Sequence, residues 1–130
     1  MNAHARTDIV DAVATFCREV IAPKAAEIDE TGRFAGLHRT ALAEMGFFGL
    51  NLPEALGGVG IDPFTLFECV ALLAGACGST ASMVTAHYLA TDSIQYGASD
   101  EQKARWLPSA ASGERLGAFA LTEPDAGSNP

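Results

Sequence analysis

The segment LTEPDAGSNP (residues 121–130) gathers Thr122, Glu123, Pro124, Asp125, Gly127 and Ser128 directly behind an apolar run. Hydroxyls at Thr122 and Ser128, on a backbone bent by Pro124 and Gly127, offer several hydrogen bonds to a polar ring edge or to phosphate oxygens. On composition alone a surface turn is the commoner use of such residues, and both uses stay open at this level. The other chemistry-bearing residues are thinner candidates. Gly57, Gly58 and Gly60 suggest a nucleotide loop. Such a loop follows a strand and opens a helix with a full glycine spacing. Here LPEALGG precedes and Asp62-Pro63 follows, so a tight turn between helices is expected.

His4, His38 and His87 are far apart and have no carboxylate at ligand spacing, so no metal site is expected. His87, in VTAHYLA, faces a pocket or, more commonly for such a residue, is a satisfied or exposed helical histidine. No G-x-S-x-G or similar nucleophile setting is present. Cys17, Cys69 and Cys77 are odd in number, lack C-x-x-C spacing and sit among apolar neighbours, which reads as buried, reduced thiols.

The elements that must position these residues are mainly helical. Ile9, Val13, Phe16 and Val20 recur at helical spacing, widened by Val10, Cys17 and Ile21, with Thr7 or Asp8 as a cap. Gly32 offers a stop, yet Glu27, Asp29 and Glu30 put negative charge where the helix dipole disfavours it. An early helix end and an outside partner are both compatible with that conflict. A second helix is expected over Leu37 to Met45, closed by Gly46. A third starts at Asp62-Pro63 and runs to Ala76, with Leu66, Val70 and Leu73 inward.

A fourth helix spans Ser79 to Tyr96 and stops at Gly97. SDEQ (residues 99–102) forms a capping box for a fifth, which passes Trp106 and is bent or ended by Pro108. RLGAFALT (Arg115 to Thr122) then reads as a strand, although a lone strand cannot form a sheet. The chain is thus expected to be all-α, with about five helices over residues 1–113. Residues 114–130 begin a different unit, at its first strand.

Composition narrows the class. At 130 residues the chain has the usual size of one domain, and 48% apolar with 18% charged residues describes a soluble globular unit. A net charge of −8 without basic stripes argues against nucleic acid and anionic membranes as partners. Met1 to Asp8 is polar, so no signal peptide is expected. No apolar run approaches the roughly 20 residues of a membrane span. A cytoplasmic location fits best.

The turn segment resembles the flavin-contacting signature of the acyl-CoA dehydrogenase family, an apolar strand followed by T-E-P-x-A-G-S-D. Here the residues are Thr122, Glu123, Pro124, Asp125, Ala126, Gly127, Ser128 and Asn129. REVIAPKAAEIDETGRF resembles the family's first helix and its exit. LAEMGFFGLNLPEALGGVG resembles its helix and P-E-x-x-G-G-x-G turn, and YGASDEQKARWLPSAASGERLGAFALTEP resembles the approach to the flavin segment. The resemblance covers nearly the whole chain.

It implies an N-terminal helical domain (1–113) plus the entry (114–130) to a middle β-domain, with a C-terminal helical domain elsewhere and FAD held among them. By that likeness Phe119, Leu121 and Thr122 lie along the flavin. The Thr122 hydroxyl and nearby backbone bond its ring, and Ser128 approaches both FAD and the acyl thioester. Met83, Val84 and His87, on the fourth helix, are looser candidates for the acyl pocket. Asn129 and Pro130 depart from the pattern, removing a negative charge and an amide donor.

The family's reaction forms a trans α,β double bond in an acyl thioester. A glutamate takes the α-proton and the β-hydrogen leaves as hydride to the flavin. That glutamate lies in the C-terminal domain, so no catalytic residue is expected here, and Glu123 belongs to the turn. The implied partners are a coenzyme A or acyl-carrier-protein thioester and electron-transfer flavoprotein or another electron acceptor. Further copies are also implied, as in a homotetramer, or else the partner chain of a split enzyme. A flavin monooxygenase on the same scaffold, and a helical binding or assembly module without catalysis, are the alternatives.

Overall fold

The computed structural model describes residues 3–125 and 127. Helix α1 (Ala3–Phe16) continues through a π-helical turn (Cys17–Ile21) into α2 (Ala22–Thr31). The cause of the π turn is Pro23. It has no N–H for the Glu19 carbonyl, and its ring crowds that carbonyl. The helix widens by one residue, and the Ala22 amide donates back to Cys17 O. The acidic stretch at 27–30 does not end the helix early. Thr31 Oγ1 donates to Glu27 O at 2.6 Å, and Gly32, at φ +61°, donates to Ile28 O at 3.0 Å.

A 3₁₀ turn (Ala35–His38) leads into the short α3 (Arg39–Glu44), closed by Gly46 at φ +73°. Helices α4 (Pro63–Ala76), α5 (Gly78–Gly97) and α6 (Asp100–Ala111) complete the unit. Counting α1–α2 as one, these are the five helices expected, among the described residues. Asp62 caps α4, its Oδ1 accepting from the Phe64 and Thr65 amides at 3.1 Å each. Ser99 and Gln102 form the reciprocal capping box of α6. Ser99→Ala should lower the unfolding free energy by about 1 kcal/mol, measured by urea titration with an unchanged slope.

Two expectations are narrowed or corrected. Of the two roles expected of Pro108, ending α6 at once is excluded, because the helix runs on to Ala111. Leu107, Ala110 and Ala111 are buried there, which offsets the one donor that proline lacks, and Ser112 N closes the last turn by donating to Pro108 O at 3.1 Å. The strand expected over Arg115 to Thr122 does not form: residues 116–122 carry no regular structure. A single strand with no neighbour has no ladder to complete.

The main core packs Val13, Cys17, Ile21, Leu42, Phe47, Phe48, Cys69, Leu73 and Val84 among α1 to α5. Full burial of Phe47 and Phe48 stabilises by about 1.5–3 kcal/mol each. A second cluster, Leu52, Leu107 and Ala111, seats the glycine turn on α6. All three cysteines are free and buried, and burial pushes the Cys69 thiol up to about 11. Among the described residues no helix is long and apolar enough to cross a membrane.

Candidate functional site

The chain that leaves α6 is tied down step by step before it reaches Phe119. Gly113, at φ +73°, lets the chain turn in a space where a Cβ would meet Phe48 Cδ2 at 2.6 Å. Arg39, from α3, donates to Gly113 O at 2.9 and 3.3 Å and to Glu114 O at 2.6 Å. The Arg115 amide donates to Ser109 O at 3.0 Å, and its guanidinium lies 5.3 Å from the centroid of the Trp106 ring. The Gly117 amide then donates to His87 Nδ1 on α5 at 3.0 Å.

Beyond Gly117 the restraint stops. Among the described residues, Ala118 to Thr122 make no hydrogen bond, and Phe119 (45%) and Leu121 (48%) are exposed, as is Thr122. The segment therefore presents alternate apolar side chains, unpaired amides and one hydroxyl. Free donors beside an apolar surface suit a planar heterocycle whose edge carries acceptors, so these residues fit a flavin ring. Ser128 lies outside the described residues.

The α5 residues fare differently from one another. Met83 is half-buried, whereas Val84 and His87 are completely buried. The His87 ring stands edge-on to Phe48, with centroids 5.1 Å apart. Its Nε2 is buried and makes no hydrogen bond of normal geometry. Burial holds the imidazole below its usual range, partly opposed by the Phe48 carbonyl. Next to it, Tyr88 donates its hydroxyl to Phe47 O, and burial pushes the phenol well above its ordinary value. The structure thus brings His87 to the segment that carries Phe119, Leu121 and Thr122, through Gly117.

His38 is elsewhere, its Nδ1 2.7 Å from Thr80 Oγ1, which also lies 3.2 Å from Cys77 Sγ. Among the described residues no group of three or more His, Cys, Asp or Glu side chains is placed to hold a metal. The glycines at 57, 58 and 60 make a self-contained turn: Gly58 N donates to Pro53 O, Val59 N to Gly49 O and Gly60 N to Leu52 O, at 2.8–3.1 Å. Their amides are used inside the fold, as expected of a structural turn. Sequence reasoning missed Arg39 and Gly117, whose partners lie far along the chain. The one available signal was a glycine inside an apolar run, which marks close backbone approach.

Similarity to known proteins follows the same outline. The family described as "Acyl-CoA dehydrogenase, N-terminal domain" matches residues 4–114. "Probable acyl-CoA dehydrogenase YngJ" of Bacillus subtilis (strain 168) is 39% identical over 118 residues, 90% of this chain and 31% of that protein. The solved structure of glutaryl-CoA dehydrogenase from Mycobacterium smegmatis superposes with a TM-score of 0.87 at 33% identity, covering 99% of this chain and 33% of that one. A structure described as electron transferring flavoprotein of Acidaminococcus fermentans gives a TM-score of 0.89 at 30% identity, covering 98% and 34%. The chain spans about a third of the length of these relatives. On the match of residues 4–114 and the helical fold that carries it, the chain belongs to the acyl-CoA dehydrogenase family, as its N-terminal helical domain.

Proposed function

We propose that this chain is the N-terminal part of a cytoplasmic, FAD-dependent dehydrogenase that introduces a trans α,β double bond into an acyl thioester of coenzyme A or acyl carrier protein. The observation that carries this is the continuation of the family-matched helical unit into an uncovered segment, Phe119 to Thr122, with free donors. Bound FAD supplies the two-electron oxidant that converting a C–C single bond to a double bond requires. The chain's own residues bind and orient. Phe119 and Leu121 offer apolar contact to the ring, the Thr122 hydroxyl and adjacent amides donate to its edge, and Ser128 serves both ring and thioester.

Of the three α5 candidates, Met83 is the one with accessible surface for the acyl chain. Val84 and His87, both buried, support that wall from behind. The base that removes the α-proton lies outside this chain. Electrons leave to electron-transfer flavoprotein or another acceptor. Phe64 and Phe67 stand about three-quarters exposed on α4, apolar surface that suits cover by further domains or copies, whether in a homotetramer or in a split enzyme. Three free buried thiols suit a reducing compartment.

A magnitude bounds what this chain does unaided. One hydrogen bond nets roughly 0.5–1.5 kcal/mol, whereas micromolar affinity takes about 8 kcal/mol. FAD titrated into this chain is therefore expected to bind weakly or not at all by calorimetry, and tight stoichiometric uptake would refute the shared-site assignment. In the flavoprotein that contains this chain, octanoyl, isobutyryl or carrier-bound thioesters should bleach the flavin absorbance anaerobically. If none does, the dehydrogenase assignment fails.

A further inference from the structure

We infer that His87 is a positioning residue, a buried latch on α5 that holds Gly117 and so sets where Phe119, Leu121 and Thr122 lie. Four observations converge on it. The Gly117 amide donates to His87 Nδ1 at 3.0 Å, and this is the last hydrogen bond before the free segment. Gly117 is pressed so closely on α5 that a Cβ would stand 2.6 Å from Ala90 Cβ, so glycine is what permits the contact. The imidazole plane is fixed by Phe48, itself fully buried. Its second nitrogen is buried and makes no hydrogen bond of normal geometry. An acceptor at Nδ1 puts the ring proton on Nε2, where the Phe48 carbonyl favours it, so the ring is committed to the tautomer whose Nδ1 accepts from Gly117.

A histidine serving only to fill the core would be replaceable by an apolar side chain, which carries no polar nitrogen to bury. Here the ring nitrogen takes up an amide that would otherwise be unpaired at the point where the segment leaves the body. Without it, the hydrogen-bonded restraint retreats to the Arg39 and Arg115 contacts. The chain that carries Phe119 to Thr122 then swings from a more distant hinge.

Because the functional consequence rests on the flavin assignment proposed above, the experiment separates the two. In the isotope-labelled wild-type chain, the imidazole nitrogen spectrum should show Nδ1 unprotonated and Nε2 protonated, with Gly117 exchanging its amide hydrogen more slowly than Ala118 or Phe119. His87→Leu should speed Gly117 exchange roughly tenfold, the equivalent of one lost hydrogen bond. His87→Asn, whose Oδ1 sits where Nδ1 was, should restore most of the protection.

In the flavoprotein that contains this chain, His87→Leu should shift the flavin absorption and weaken FAD retention, and His87→Asn should reverse both. A protonated Nδ1 in the wild type, or Gly117 exchange indifferent to His87→Leu, overturns the latch. The wild-type measurements hold even if the leucine variant fails to fold. A working latch with a flavin spectrum indifferent to His87→Leu overturns the positioning role. A working latch in a wild-type protein that never retains flavin supports the latch and defeats the flavin assignment instead.

Discussion

Gly58→Ala is expected to destabilise the fold by about 3 kcal/mol or more, at the upper end of overpacking costs. A Cβ on Gly58 would stand 2.0 Å from Leu52 O, 2.4 Å from its carbonyl carbon and 2.6 Å from its Cβ. Flexible side-chain ends can step aside, but this obstacle is backbone held on both sides. Leu52 O accepts from Gly60 N at 2.8 Å, and the Leu52 side chain is fully buried against Leu107 and Ala111. Relief therefore requires the turn to open or α6 to move. A helical glycine with open space gives the contrast. Gly75, in α4, has nothing within 4 Å of its added Cβ, so Gly75→Ala should be neutral or stabilise by up to about 1 kcal/mol. Urea midpoints with unchanged slopes measure both. A Gly58→Ala midpoint equal to wild type would mean that the Leu52 carbonyl is free to yield.

The contrast between that turn and the helices shows what a sequence makes legible. Asp62-Pro63 starts α4, Ser99 and Gln102 cap α6, and Gly32 and Gly46 close their helices at positive φ, as local rules require. Each of these depends on residues within one helical turn. The π turn depends on Pro23, also local, but no apolar spacing announces a single extra residue. That Pro108 would not end α6 was not legible, because its cost is local while its compensation, burial of Leu107 and Ala111 against Leu52, is tertiary.

The same division runs through the site. Thr122 and its neighbours were readable as a donor-bearing bend, since residue types alone carry that. That His87 would spend its nitrogen on Gly117, and Arg39 its guanidinium on Gly113 and Glu114, was not readable. Those partners are brought together only when α3, α5 and α6 pack. RLGAFALT has the composition of a strand but lacks the neighbours that make one, so propensity gave the wrong element there.

Stability should fall steeply as the pH drops below about 6.5, the ordinary histidine value. His38 and His87 are both buried, and both imidazoles are held below that value. For His38 the causes are burial first and Lys24 second; for His87 burial is opposed by the Phe48 carbonyl. The native state keeps both rings neutral while the unfolded chain protonates them. The stability they contribute is present above the unfolded value and is lost as the pH falls toward each native value. Each proton is worth roughly 1.4 kcal/mol per pH unit, and the two together about 2.7, in a domain whose total is about 5–15 kcal/mol.

Relief of self-repulsion pulls the other way, since the chain carries a net charge of −8. Carboxylates titrate mainly near pH 4, so between pH 6.5 and 5 they stay largely ionised and the histidine effect dominates. Asp62, held low by its hydrogen bonds to Thr65 first, adds a further loss only at more acid pH. Urea unfolding at half-unit steps from pH 8 to 5 should give a flat upper region and a falling lower one. His87→Asn should remove about half of the acid slope, and a neutral replacement of His38 the other half. Equal stability at pH 7.5 and 5.5 would mean that neither ring is held neutral within the native fold. It would also remove the basis for a neutral His87 accepting from Gly117.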